Sequence, residues 1–374
     1  MKKTSTKALV LAFSLIIGLQ TFSQWEQEFI THDGIERMYW RYVSPNYNAA
    51  NPASLVVTLH GMGDNATNFK GIEFDNIADT ANVIVLAPES LVDGLTGMTA
   101  WNSQAGVAGI YPNATINDIG FIHTIIDETM NNYSVNVGKV YACGFSMGGF
   151  MTQRLAIEGN TKFTAFASVA GTFGSGLTLA NPNRAIPIAH FHGTTDATVG
   201  YDSNIFGSNV ADLIDFWVDN NNCDITPTQE ILPDLVADGF TVEHFVYPNG
   251  DDESVVELFK VNDAGHIWLR TGIHDISYSG EIWKFFNRYE NPLLSVPTED
   301  AIFKFSIYPN PASEILFVNF DKSIQSPIIL LDMNGKEVFK TTSSSTQIEI
   351  PVASLDKGIY IIKVGESTRK VIIQ

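Results

Sequence analysis

Cysteine, basic charge and long apolar runs are scarce in this sequence, and each shortage excludes a class of protein. The two cysteines among 374 residues are Cys143 and Cys223, so the chain is not a disulfide-rich scaffold, and we expect both to be thiols. Lys and Arg total 22 against 41 Asp and Glu, without a basic run, which argues against a nucleic-acid partner. No cluster of Cys and His has the spacing of a zinc site, so no metal ion is expected.

Three lysines followed by an apolar run open the sequence, and this order is typical of a secretory signal peptide. The lysines lie at positions 2, 3 and 7, the apolar run spans 8–19, and residues 21–23 form a candidate cleavage site. We therefore assign residues 1–23 to a signal peptide and expect a secreted protein. No later run reaches the roughly 18 apolar residues that a spanning helix requires, so stable membrane insertion is not expected.

Strand-like and helix-like segments alternate from residue 24 to about 290. Residues 54–60 and 82–88 are continuous apolar runs, as in buried strands, and residues 36–43 alternate as an early edge strand would. Residues 118–131 place several isoleucines on one helical face. Buried strands separated by helices predict an α/β fold with a doubly wound, mostly parallel sheet.

The pattern changes after a Pro-containing stretch at 291–300, which we interpret as a linker. Residues 301–374 contain short strand-like segments separated by turns, and an Asn-Gly pair at 334–335 predicts a hairpin. A small all-β sandwich is therefore expected at the C-terminal end.

The segment Gly144-Phe145-Ser146-Met147-Gly148 follows an apolar strand and precedes a helix-like segment. This arrangement predicts a nucleophile elbow, in which a sharp turn presents a serine hydroxyl above the start of a helix. Side chains at the two glycine positions would clash in so tight a turn. Ser146 is therefore the candidate nucleophile.

A serine hydroxyl needs a base to accept its proton and an acid to orient that base. On an α/β-hydrolase sheet these follow the serine in the order acid, then histidine. Asp196 follows an apolar strand and a Gly-Thr loop, and we prefer it to Asp202. His266 lies on a loop after another predicted strand, and we prefer it to His244 and His274.

Backbone N–H groups must stabilise the tetrahedral intermediate of acyl transfer. We predict one donor at Met147, directly after the nucleophile, and a second at Met62 in the His60-Gly61-Met62 loop. We expect His60 itself to have a structural role and to hold this loop in place.

Together these residues resemble an esterase group that contains polyhydroxybutyrate depolymerase-like enzymes and the feruloyl and acetylxylan esterases of carbohydrate esterase family 1. The resemblance implies hydrolysis of carboxylic esters in a polymer or oligomer by Ser146, Asp196 and His266, without a metal or other cofactor. In this pattern Trp101 and Trp268 flank the site, which makes them candidate substrate contacts. The segments that carry the resemblance are 59–61, 100–102, 118–122, 140–149, 192–196, 222–223 and 265–268.

The elbow also resembles that of cutinase-like polyester hydrolases, whose acid and base lie closer together than the 70 residues from Asp196 to His266. Many members of the esterase group pair a cysteine at the position of Cys223 with one in a later turn. Here that turn, at 247–253, contains no cysteine, so that bridge is absent.

The C-terminal segments 307–312, 329–336 and 355–364 resemble the type IX secretion sorting domain of Bacteroidota. This resemblance implies export by the type IX secretion machinery and a place outside the cell or on its surface.

Three functions are compatible with these observations. The first is a secreted serine esterase, the second a non-catalytic carbohydrate-binding or surface module on a hydrolase fold, and the third a peptidase. The complete Ser-Asp-His order favours the esterase, because a degenerate hydrolase fold usually lacks one member of the triad.

Overall fold

A computed structural model describes residues 25–182, 184–291, 305–320, 327–332, 335–342, 345–364 and 367–374. The chain divides into two compact units, with the division between residues 294 and 295. The predicted signal peptide at 1–23, all of the predicted linker except residue 291, and part of the predicted Asn-Gly turn lie outside the described residues.

Parallel strands form the centre of the first unit, as the alternation of apolar strands and helices predicted. Within its described residues the strands are β1 (Trp25–His32), β2 (Ile35–Val43), β3 (Ala53–Leu59), β4 (Val83–Pro88), β5 (Leu91–Val92), β6 (Thr99–Ala100), β7 (Val135–Phe145), β8 (Ala165–Val169), β9 (Ile188–Gly193), β10 (Thr228–Ile231), β11 (Thr241–Tyr247) and β12 (Val256–Asn262). Ten of these make one sheet in the order β1-β2-β4-β3-β7-β8-β9-β12-β11-β10, and β5 pairs with β6 separately. The six strands from β4 to β12 in that order are parallel, and the two at each edge are antiparallel.

The prediction of an edge strand at 36–43 is wrong in its placement, because β2 has a neighbour on each side. Strand β1 lies outside it, with Trp25 opposite Tyr42 and His32 opposite Ile35. The side chains of β1 are only half-buried or exposed, so its sequence shows no apolar run.

Helices cover both faces of the sheet, which makes the fold doubly wound. In the described part of the first unit they are α1 (Ala66–Phe69), α2 (Phe74–Ala81), α3 (Asp118–Asn132), α4 (Met147–Glu158), α5 (Val210–Asn220) and α6 (Tyr278–Phe286). Residues of α3, α4 and α5 share one apolar cluster, and residues of α2 and α6 share another. Side chains of Asn117, Asn209 and Ser277 accept a backbone N–H at the starts of α3, α5 and α6.

Four loops meet at one end of the parallel strands of this sheet. They follow β3, β7, β9 and β12, which belong to the parallel part of the sheet, so their carboxyl ends lie on the same side. Ligand sites of open α/β sheets lie outside these ends. The loops after these strands carry Gly61, Ser146, Asp196 and His266.

The second unit is all-β, as predicted. Its described strands are β13 (Phe305–Tyr308), β14 (Ile315–Phe320), β15 (Pro327–Leu331), β16 (Glu337–Thr342), β17 (Gln347–Pro351), β18 (Gly358–Val364) and β19 (Ser367–Ile373). They form two antiparallel sheets, β13-β14-β17 and β16-β15-β18-β19. Both sheets contribute to one apolar cluster, with Leu316 and Ile350 from the first and Ile328 and Ile362 from the second.

Candidate active site

Ser146 lies on a strained turn between β7 and α4. Its φ of 54° and ψ of −122° fall in a region that residues other than glycine rarely adopt. Two backbone hydrogen bonds hold it there: the Ser146 N–H donates to the carbonyl of Val169 at 2.9 Å, and its own carbonyl accepts from the N–H of Phe150 at 3.0 Å. This is the geometry of a nucleophile elbow.

The glycines on either side of Ser146 are required by close backbone packing. A Cβ atom at Gly144 would overlap the carbonyl of Gly148, and one at Gly148 would overlap the carbonyl of Leu59 in β3. The elbow is therefore pressed against the neighbouring strand, and any larger residue at position 148 must displace backbone.

Asp196 and His266 form a short hydrogen bond. His266 Nδ1 lies 2.6 Å from Asp196 Oδ2, although 70 residues separate them in sequence. The other carboxylate oxygen accepts the N–H groups of Thr198 and Val199, each at 2.8 Å. Burial alone would raise the pKa of Asp196, but these bonds from His266 and the two backbone N–H groups lower it below its ordinary value. The aspartate therefore stays ionised and fixes the ring of His266.

Ser146 and His266 line the same cleft but do not hydrogen-bond to each other in this structure. The ring of Phe145 packs against the imidazole of His266 with centroids 4.7 Å apart.

Gly61, Met62 and Met147 surround Ser146. A Cβ atom at Gly61 would lie 3.3 Å from that of Ser146, so this part of the chain approaches the nucleophile closely. Within the described part of the chain, the N–H groups of Met62 and Met147 donate to no protein acceptor. They are free to receive a developing oxyanion.

His60 and Trp101 fix the loop that carries Met62. The N–H of Ser90 donates to His60 Nε2 at 3.1 Å, so Nδ1 carries the proton and donates to the carbonyl of Gly61 at 2.8 Å. Burial lowers the pKa of His60, which keeps the ring neutral. The Trp101 Nε1–H donates to the carbonyl of His60 at 2.9 Å.

Neither tryptophan that we predicted as a substrate contact reaches the cleft, and this corrects the prediction. Trp101 is fully buried and holds the His60 carbonyl instead. Trp268 is 7% exposed, and its Nε1–H donates to the hydroxyl of Ser279. It packs edge-on against Phe145, which in turn contacts His266. Both tryptophans therefore pack against residues of the site and do not line the cleft.

The cleft has a volume of about 370 Å³ and mostly apolar walls. Met98 and Ala105 enter it from the long segment between β5 and α3, while Val199 and Phe206 come from the loop after Asp196. Sequence reasoning missed these residues because only the fold brings their loops together. The full lining is Gly61, Met62, Asp64, Met98, Ala105, Phe145, Ser146, Met147, Phe150, Thr198, Val199, Phe206 and His266.

A buried chain of hydrogen bonds lies behind Asp196. The Ser168 hydroxyl lies 2.7 Å from His190 Nδ1, His190 Nε2 lies 3.0 Å from His192 Nδ1, and His192 Nε2 lies 2.7 Å from the Val199 carbonyl. Because that carbonyl can only accept, each group in turn must donate toward it. Burial lowers the pKa of both histidines, so both are neutral. This series of hydrogen bonds thus anchors the loop that positions Asp196.

The less favoured candidates have other surroundings. Asp202 is exposed and lines a separate cavity. His244 Nε2 lies 3.0 Å from Glu257 Oε2, and His274 Nδ1 accepts the N–H of Arg270.

Both cysteines are buried free thiols. Across the described residues, no group of three or more His, Cys, Asp or Glu side chains is arranged to hold a metal ion. No helix in the described part of the chain is both long and apolar enough to cross a membrane.

Two family profiles match this chain. The phospholipase/carboxylesterase profile covers residues 45–232, and the secretion-system C-terminal sorting domain profile covers residues 306–374.

Curated relatives of this chain include proteins named as esterases and one named as a depolymerase. A bifunctional acetylxylan esterase/xylanase of Neocallimastix patriciarum is 31% identical over 158 residues, which is 41% of this chain but only 21% of that protein. Feruloyl esterase C of Emericella nidulans is 26% identical over 252 residues, 67% of this chain and 83% of the relative. Poly(3-hydroxyalkanoate) depolymerase C of Paucimonas lemoignei is 24% identical over 295 residues, which is 70% of this chain and 66% of the relative.

The fold also matches a solved structure, an acetyl xylan esterase from Aspergillus awamori. The TM-score is 0.50 at 14% identity, and the match covers 71% of this chain and all but 1% of the other. The chain therefore belongs to the phospholipase/carboxylesterase family of carboxylic ester hydrolases and carries a secretion-system sorting domain at its C-terminal end.

Proposed function

We propose that this protein is a secreted serine esterase that acts on feruloyl or acetyl esters of polysaccharide, with Ser146 as nucleophile, His266 as base and Asp196 as its orienting acid. The observation that carries the proposal is the 2.6 Å contact between His266 and Asp196 beside a serine on a strained elbow. A nucleophile, a base and an oriented carboxylate are the groups that acyl transfer needs.

The chemistry follows from these positions. His266 accepts the proton of Ser146 as the hydroxyl oxygen attacks the ester carbonyl. The N–H groups of Met62 and Met147 stabilise the oxyanion, and His266 then protonates the departing alcohol. Water, activated by the same histidine, hydrolyses the acyl-enzyme and releases the acid.

The apolar cleft suits a small acyl or aromatic acid. Met98, Phe150 and Phe206 supply apolar surface around the nucleophile, and about 370 Å³ is within the usual size range for a small-molecule site. The names of the acetylxylan and feruloyl relatives support esters of this kind. A polyhydroxyalkanoate is the second candidate, which the depolymerase relative favours.

The sorting domain indicates secretion. We propose that the type IX machinery recognises this domain and delivers the enzyme outside the cell or to its surface, where polymeric esters are found.

The experiment that tests the function is hydrolysis of 4-nitrophenyl acetate and methyl ferulate by the full chain and by Ser146→Ala. Loss of the triad nucleophile should lower kcat by about 10⁶-fold, as in other serine hydrolases. Ser306→Ala is a matched control, because Ser306 is exposed on β13 of the second unit. Equal turnover by Ser146→Ala and the unaltered chain would exclude the proposal. Absence of activity in both, with no labelling by a fluorophosphonate, would favour a non-catalytic module.

A further inference from the structure

A second cavity lies beside the proposed catalytic cleft, on the face of the sheet near its β10 edge. Its volume is about 410 Å³, within the range of small-molecule sites. It is lined by Thr194, Tyr201, Asp202, Phe245, Tyr247, Leu258 and Lys260.

Strand register builds one wall of this cavity. Phe245 and Tyr247 are alternate residues of β11, so their side chains lie on the same face. Phe245 lies opposite Leu258 of β12, and Glu243 lies opposite Lys260. The other wall is the loop after Asp196, which supplies Tyr201 and Asp202.

The chemistry of the walls combines aromatic faces with polar groups. Neither the Tyr201 nor the Tyr247 hydroxyl bonds to another group within the described part of the chain. Burial raises the pKa of Tyr201 to about 12 and also raises that of Tyr247, so both remain donors. Aromatic side chains with a polar end suit ligands that are apolar on one side and hydroxylated on the other. A sugar ring has this character.

The charges disfavour an anionic ligand. Lys260 Nζ is paired with Glu243 Oε1 at 3.0 Å, so among the described residues that line the cavity the unpaired charge is the exposed carboxylate of Asp202. A carboxylate accepts hydrogen bonds from hydroxyl groups and repels phosphate or uronate.

The cavity and the cleft share one loop. Thr198 and Val199 line the cleft, and Tyr201 and Asp202 line the second cavity. Two residues of chain span at most about 7 Å, so Tyr201 lies close to the cleft wall formed by Val199. The two sites therefore share this stretch of wall, which is the arrangement that one chain of sugar units carrying an ester needs in order to contact both.

From this geometry we propose that the second cavity is a sugar subsite, which holds units of the neutral polysaccharide whose ester group occupies the cleft. This inference rests on the proposed function and specifies its substrate as a glycan ester. The apolar, uncharged chain of a polyhydroxyalkanoate has no hydroxyl groups for Asp202 and the two tyrosines.

Calorimetric titration of the full chain carrying Ser146→Ala, with xylohexaose and with cellohexaose, tests the subsite without turnover. We expect at least one of the two hexaoses to bind. In the same background, Tyr247→Ala should weaken the affinity for that hexaose about tenfold, a typical effect of removing an aromatic contact. Asp202→Asn, at an exposed position, is a second variant that should weaken binding if Tyr247→Ala does not fold. Phe29→Ala is the matched control, because Phe29 is an exposed aromatic residue on β1 at the opposite edge of the sheet.

The possible outcomes separate this inference from the proposed function. The subsite is overturned if neither hexaose binds. It is also overturned if the Ser146→Ala chain and both subsite variants bind the hexaose equally well. Esterase activity of the unaltered chain on 4-nitrophenyl acetate is measured in parallel and requires no sugar. If that activity is absent, the proposed function fails, and the binding result still decides whether the cavity takes sugar.

Discussion

The two sides of the cleft hold their functional groups by different means. On the side of the proposed nucleophile (the nucleophile side), backbone contacts fix Ser146, and Gly144 and Gly148 have no room for a side chain. On the side of the proposed acid and base (the acid–base side), side-chain hydrogen bonds fix His266 and Asp196, and the neutral His190 and His192 lie beyond Asp196. The first side should therefore be sensitive to added atoms, and the second to changes of charge and protonation.

After removal of the nucleophile itself, the largest expected effect is on the acid–base side. Asp196→Asn keeps the shape of the side chain but removes the charge that orients His266 and stabilises its protonated form. We expect kcat on 4-nitrophenyl acetate to fall about 10⁴-fold, as for the equivalent change in other triads. Asp234→Asn, at an exposed aspartate, is the control. A loss smaller than tenfold would show that Asp196 is not the orienting acid.

A smaller effect, on stability, is expected from Gly148→Ala. The added methyl group would overlap the carbonyl of Leu59, so the free energy of unfolding in urea should fall by about 1–3 kcal/mol. Gly280→Ala in α6 is the matched control, since its methyl group would make only ordinary contacts at 3.6 and 3.8 Å. That variant should be neutral or slightly stabilising. Equal stability of the two variants would contradict the crowding at position 148.

The smallest effect expected from a single substitution is a change in the pH dependence of stability on the acid–base side. Burial holds the pKa of His190 and His192 below 6.5, so the unfolded chain binds protons that the folded chain does not. Stability should therefore fall as pH drops from 6.5, by at most about 1.4 kcal/mol per pH unit for each histidine. His192→Gln should show a shallower slope between pH 6.5 and 5 in thermal unfolding. An unchanged slope would mean that His192 is not held neutral.

Local sequence was enough to predict the centre of this molecule. Strands such as β3 and β4 are buried on both faces, so their apolar runs are unambiguous. The elbow depends on glycines at fixed offsets within a few residues. We predicted Asp196 and His266 from their positions on loops after strands and from the order of the hydrolase triad, and the structure brings the two side chains together.

The edges and the cleft walls could not be predicted in the same way. Strand β10 is exposed along its whole length, so no burial pattern distinguishes it from a loop. Trp101 was misplaced because sequence does not show where an indole N–H finds its acceptor. Met98 and Phe206 meet in the cleft only after two distant loops have folded together. Such contacts depend on tertiary structure rather than on local pattern.

Strands β9 and β12 are direct neighbours, although a helix and two further strands lie between them in sequence. The intervening chain leaves β9, extends the sheet to its edge with β10 and β11, and returns to β12. The chain between β9 and β12 can therefore change in length or in side chains during evolution while Asp196 and His266 keep their separation. This stretch also supplies Thr198, Val199 and Phe206 to the cleft, so such changes alter its walls while Asp196 and His266 stay in place.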